Sequence, residues 1–100
     1  MEKFVKYNKL FDCYSNLLTE KEKDSFKDYY EEDLSLQEIA ENNSVSRSAI
    51  HKTIRTVEEK LDFYEKNLKL CELIDKLKKL EAENNMTELK KGISEILEKL

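Results

Sequence analysis

An all-α fold is predicted by three features of this 100-residue sequence. Glycine occurs once and proline not at all, which leaves little material for hairpin turns or glycine-rich phosphate loops. Charged residues make up 40% of the chain and hydrophobic ones 39%, with Lys, Glu and Leu, all good helix formers, in abundance. Apolar side chains recur at spacings of three and four, the period of an amphipathic helix. The length suits one small domain with a modest core. No apolar run approaches the roughly 20 residues of a membrane span, and the N-terminal residues alternate Lys with Phe, Val and Tyr, unlike a signal peptide. The expectation is a soluble, cytoplasmic protein with no membrane insertion.

Phe4, Tyr7, Leu10, Phe11, Tyr14, Leu17 and Leu18 form one stripe, predicting a first helix over residues 3–18. Thr19-Glu20-Lys21-Glu22 reads as a capping box, in which hydroxyl and carboxylate reciprocally satisfy two backbone N–H groups. It opens a second helix to about Glu31 that buries Phe26, Tyr29 and Tyr30. The carboxylates of Glu31, Glu32 and Asp33 disfavour its continuation, because negative charge is unfavourable at a helix C-terminus. Ser35 and Glu38 make a second box, opening a short helix to about Glu41 with Ile39 and Ala40 inward.

Asn42-Asn43-Ser44 then supplies residues that tolerate turns and left-handed backbone. Val45 is expected to plug the core, and Ser46 to cap the next helix. From there Ile50, Ile54, Val57, Leu61, Tyr64, Leu68 and Cys71 step alternately by four and three, close to a heptad seam. One long amphipathic helix is expected over 46–83, with a bend near 71–76, where Ile74 and Leu77 follow at threes. Asn85 with Glu88 caps a last helix over 86–100, with Leu89, Ile93, Ile96, Leu97 and Leu100 as its stripe. Gly92 inside it costs up to about 1 kcal/mol relative to Ala. The seam residues Leu61, Tyr64, Leu68, Cys71, Ile74 and Leu77 are the candidate contact of a homodimer, since so small a chain has few apolar residues left to cover so long a helix.

The chemistry is that of a binding module. Cys13 and Cys71 lie far apart among apolar neighbours and are expected to be reduced core thiols. A single histidine and the lack of C-x-x-C or H-x-x-H spacing predict no metal site. No cofactor and no enzymatic activity are expected, because the carboxylates are scattered at helix-surface spacing.

Residues 35–57, SLQEIAENNSVSRSAIHKTIRTV, have the anatomy of a helix-turn-helix. Ala40 is small enough for a close helix crossing, Ile50, Ile54 and Val57 give the second helix a buried edge, and the other edge is free to enter a major groove. Ser46, Arg47, Ser48, His51, Lys52 and Arg55 are the candidate nucleic-acid-binding residues. Charge supports the asymmetry: the net charge of −4 resolves into +3 over residues 44–57 and −7 over everything else. The basic stretch coincides with the edge that would meet phosphates. An alternative for Arg47 is an ion pair with Glu38 or Glu41 on the preceding helix.

The ordered set Leu17-Leu18-Thr19, Tyr29-Tyr30, Asp33-Leu34-Ser35-Leu36, Glu38-Ile39-Ala40, Val45-Ser46-Arg47, Tyr64-Glu65 and Leu68 resembles the YlxM family of bacterial helix-turn-helix proteins. The helix-turn-helix part alone is also similar to region 4 of sigma-70-type factors. The resemblance implies a sigma-70 region 4-like bundle with a long C-terminal extended helix and a final short helix. It also implies a regulatory role in the signal recognition particle pathway, because genes of the family typically neighbour that of the particle's GTPase. Candidate partners are therefore DNA, structured RNA, the signal recognition particle GTPase and a second copy of the chain. Departures from the family's usual pattern fall at Ser48, His51 and Lys52, where a glutamine, a tyrosine and an acid are more typical. The turn also lacks the glycine common in sigma-type versions.

Overall fold

Four N-caps read from the sequence set helix starts in the computed structural model, which describes residues 2–100. Helix α1 (Glu2–Tyr14) is followed by a 3₁₀ turn over Ser15–Leu17. The α-helix therefore ends four residues earlier than its apolar stripe suggests. Leu18 is extended and buried, whereas Leu17 is exposed. Thr19 then caps α2 (Glu20–Tyr30): its Oγ1 accepts from the Glu22 N–H at 3.1 Å, and the Thr19 N–H donates to Glu22 Oε1 at 2.9 Å. Ser35 and Glu38 repeat the arrangement at α3 (Leu36–Asn42), at 3.1 and 3.0 Å. Between α2 and α3 the chain turns through Asp33, whose φ of 56° is left-handed.

Helix α4 (Arg47–Leu68) is the element on which α1, α2 and α3 each pack. Its inner edge, Ile50, Ile54, Val57 and Leu61, is buried against Phe11, Phe26, Ile39 and Ala40, which belong to the same core. Phe26 stacks on Phe11 at 4.3 Å and on Tyr30 at 4.4 Å between ring centroids. Stacked pairs of this kind contribute about 0.5–1.5 kcal/mol beyond area burial. Tyr29 is only half-buried and rests edge-on against Tyr30.

The helix expected over 46–83 is two helices. It stops at Leu68, Lys69 takes a left-handed φ of 53°, and α5 (Leu70–Glu81) starts afresh. Neither glycine nor proline marks the break, so local propensity gave no warning of it. The expected single domain correspondingly falls into two compact units, one ending at Leu68 and the other running Lys69–Leu100. In the second unit α5 packs on α6 (Met86–Lys99). Asn85 caps α6 as expected, its side chain accepting from the Glu88 N–H at 3.0 Å. Gly92 lies where α6 meets Leu80: a Cβ at this position would come within 2.3 Å of a Leu80 methyl. Its cost in helix propensity is thus the condition of a close approach.

The expectation of two reduced thiols is corrected: neither Cys13 nor Cys71 is a free thiol, and both are disulfide-bonded. Apolar neighbours along the chain do not distinguish a core thiol from a bonded one.

Candidate nucleic-acid interface

The turn between α3 and α4 is built from the residues expected to make it. The Asn43 side chain donates to the Ile39 carbonyl at 2.7 Å, Ser44 takes a φ of 55°, and the Val45 N–H returns to the Ala40 carbonyl at 3.0 Å. Val45 itself is 39% exposed, so it does not plug the core. The backbone bond from Val45 to Ala40, rather than a buried side chain, ties the turn back to α3. Ser46 caps α4, its Oγ accepting from the Ala49 N–H at 3.1 Å.

Arg47, Ser48, His51, Lys52 and Arg55 are all exposed on the first turns of α4, beside the exposed Ser46 cap. The opposite edge of the same turns, Ile50, Ile54 and Val57, is at most 4% exposed. One side of these first turns is fixed in the core and the other faces solvent. The structure decides the alternative for Arg47. Glu38 is held by its own cap and Glu41 accepts from Gln37 Nε2 at 3.1 Å. Among the described residues neither Arg47 nor Lys52 pairs with a carboxylate. Arg55 reaches Glu59 at 3.7 Å, with both side chains about 70% exposed; such a pair contributes little and leaves the guanidinium open to a stronger anion. The two Ser35 hydrogen bonds, from N–H and hydroxyl, hold the Glu38 carboxyl below its ordinary range.

Three tyrosines fix the orientation of α4, and sequence reasoning missed this. Tyr30 donates to Glu58, Tyr7 to Asp62 at 2.7 Å and Tyr14 to Glu65 at 2.5 Å. The acceptors recur at i, i+4 and i+7, on one face of α4. That spacing, opposite two aromatic-rich helices, is the signal that could have revealed the ladder. Lys3 and Lys6 add ion pairs to Glu58 and Asp62 at 3.3 and 3.0 Å. Glu58, Asp62 and Glu65 of this C-terminal half are thus engaged with α1 and α2, while the cations of the N-terminal half face solvent.

The whole chain, residues 1–100, matches the family described as "Putative helix-turn-helix protein, YlxM / p13 like". The chain belongs to this helix-turn-helix family. It is similar to a "UPF0122 protein" of Bacillus pumilus (strain SAFR-032), 40% identical over 107 residues, covering 100% of this chain and 97% of the relative. A relative of the same name from Bacillus cereus (strain AH187) is 41% identical over 108 residues, covering 100% and 98%. The corresponding protein of Bacillus anthracis (strain A0248) matches to the same extent. The helix-turn-helix expected from the resemblance is therefore also how the family is described, and the described residues are all-α. No helix among the described residues is long and apolar enough to cross a membrane.

The seam offered as a homodimer contact does not survive as one stripe. Leu61 is fully buried in the unit's own core, and Tyr64 is half-buried against Tyr14 at 5.8 Å. Leu68 is exposed, but the left-handed Lys69 that follows ends its helical register. On α5, Cys71 is buried, Ile74 half-buried and Leu77 exposed. A heptad seam needs an unbroken helix, and the break at Lys69 removes it.

Proposed function

We propose that the protein is a cytoplasmic, regulatory helix-turn-helix protein that binds nucleic acid through the free edge of α4. The observation that carries this reading is the unpaired, exposed basic edge of Arg47 and Lys52, continued by Arg55, on a helix whose other edge is locked in the core. Arg47 and Arg55 supply sequence-independent phosphate contacts, while Ser48, His51 and Lys52 reach base edges. Three cations on a chain of net charge −4 make a weak monomeric binder with a shallow salt dependence. Two copies, each presenting its edge, are therefore the binding form.

Fluorescence anisotropy with a labelled duplex DNA and a labelled RNA hairpin tests this. The Arg47→Glu/Arg55→Glu chain, with unchanged circular dichroism, is expected to lose binding. Equal binding by both chains overturns the reading.

A second reading is docking on the signal recognition particle GTPase, in the pathway that the family resemblance implies. Its support is the acidic remainder of the chain, including the exposed Glu31, Glu32 and Asp33, which would complement a basic partner. Retention of the purified GTPase at low salt, insensitive to nuclease, distinguishes it from the first.

A further inference from the structure

We propose that the open apolar face of the α5–α6 hairpin is the surface on which two copies of this chain associate. This deepens the two-copy part of the proposed function and replaces the α4 seam. On α6, Met86, Ile93, Leu97 and Leu100 are exposed at steps of seven, four and three, one side of a helix. Leu77 of α5 is 49% exposed. No residue of α6 is buried, and Cys71 is the one buried residue of α5. The side of α6 that carries Gly92 is in contact with Leu80, so the hairpin is already closed on one side and open on the other.

Charge argues for a second copy as the occupant. Residues 69–100 hold seven lysines and seven carboxylates, so the whole net charge of −4 belongs to the residues before them. A strongly acidic or basic partner finds no complement here, whereas two neutral surfaces approach without net repulsion. Area argues the same way. Four large apolar side chains exposed on one side of α6, Met86, Ile93, Leu97 and Leu100, make a patch of the kind that marks an interaction site. A two-fold axis pairs the same patch with itself, and two hairpins laid face to face make a four-helix bundle.

Sedimentation velocity of the full chain without nucleic acid tests the assignment from low to high micromolar concentration. The unmodified chain is expected at twice its monomer mass, and Ile93→Lys/Leu97→Glu at the monomer mass with unchanged helicity. Phe63→Ser, on the exposed face of α4, is expected to stay dimeric. A monomeric parent chain, or a dimer insensitive to the α6 changes, overturns the proposal, as does a dimer lost on Phe63→Ser alone. Hydrogen exchange on the unmutated chain remains decisive even where a variant misfolds: α6 amides are expected to gain protection at least tenfold with rising concentration while α4 amides do not. Equal protection at all concentrations contradicts it. Because nucleic acid is absent throughout, failure here is distinct from failure of the α4 edge to bind.

Discussion

The phenol of Tyr7 donates to the Asp62 carboxylate at 2.7 Å, joining α1 to α4 across 55 positions of sequence. Tyr7 is buried and Asp62 half-buried, so the bond is sheltered without taking the carboxylate wholly out of water. With Tyr30–Glu58 and Tyr14–Glu65 it forms the ladder that orients the helix bearing the basic edge. Tyr7→Phe removes one such bond while keeping the ring, and is expected to cost about 1–2 kcal/mol in chemical denaturation. A midpoint unchanged from the parent chain would show that the bond contributes nothing.

The same ladder makes stability sensitive to alkali. Burial pushes the Tyr7 hydroxyl above its ordinary value, and the hydrogen bond to Asp62 pushes it further. Burial does the same to Tyr30, reinforced by Glu58. A raised value in the folded state means that the protonated phenol is favoured there. The stabilisation is thus complete below the unfolded value of about 10 and is lost as pH rises through the folded one. Urea midpoints are expected to fall above about pH 10, and less steeply in Tyr7→Phe. Identical slopes in the two chains would contradict the assignment.

Glu22 governs the acid side. Burial alone would raise its carboxyl, but the Lys60 ammonium at 2.7 Å and the Thr19 hydrogen bonds outweigh burial and hold it below its ordinary range. Its contribution is complete above the unfolded value of about 4.3 and is lost as pH falls through the lower, folded one. Glu22→Gln is expected to cost about 1–2 kcal/mol at neutral pH, since it weakens both the cap and the ion pair. The difference from the parent chain is expected to shrink in acid; a pH-independent difference would rule out the ion pair as its cause.

Much of this was legible because it is local. The pairs Thr19/Glu22, Ser35/Glu38 and Asn85/Glu88 lie three residues apart, and each cap formed where it was read. The buried edge of α4 followed from spacing alone. The tyrosine ladder was not legible, because its bonds join residues 28 to 55 positions apart and a carboxylate on a helix surface reads as solvated. Lys69 was missed because a lysine seldom adopts left-handed backbone. The basic edge was legible as charge, but the absence of an ion pair at Arg47 depended on where Glu38 and Glu41 turn.

Ser44, at φ 55° in the turn before the basic edge, stands where glycine is the easier residue. Left-handed backbone costs an ordinary residue about 1–2 kcal/mol, offset in part by the greater unfolded-state freedom of glycine. Ser44→Gly is therefore expected to stabilise by up to about 1 kcal/mol without altering binding. A lower thermal midpoint would mean that the serine side chain contributes more than its strain costs.

The central claim, that the free edge of α4 holds nucleic acid, is tested most directly by the salt dependence of binding. Anisotropy titrations of duplex DNA and of an RNA hairpin, over a range of salt, give the slope of log affinity against log salt. Arg55→Ala, which removes one phosphate contact, is expected to weaken binding and reduce that slope by about 1, and Arg47→Glu/Arg55→Glu to abolish binding with the fold intact. Unchanged affinity and slope in both variants would contradict the account.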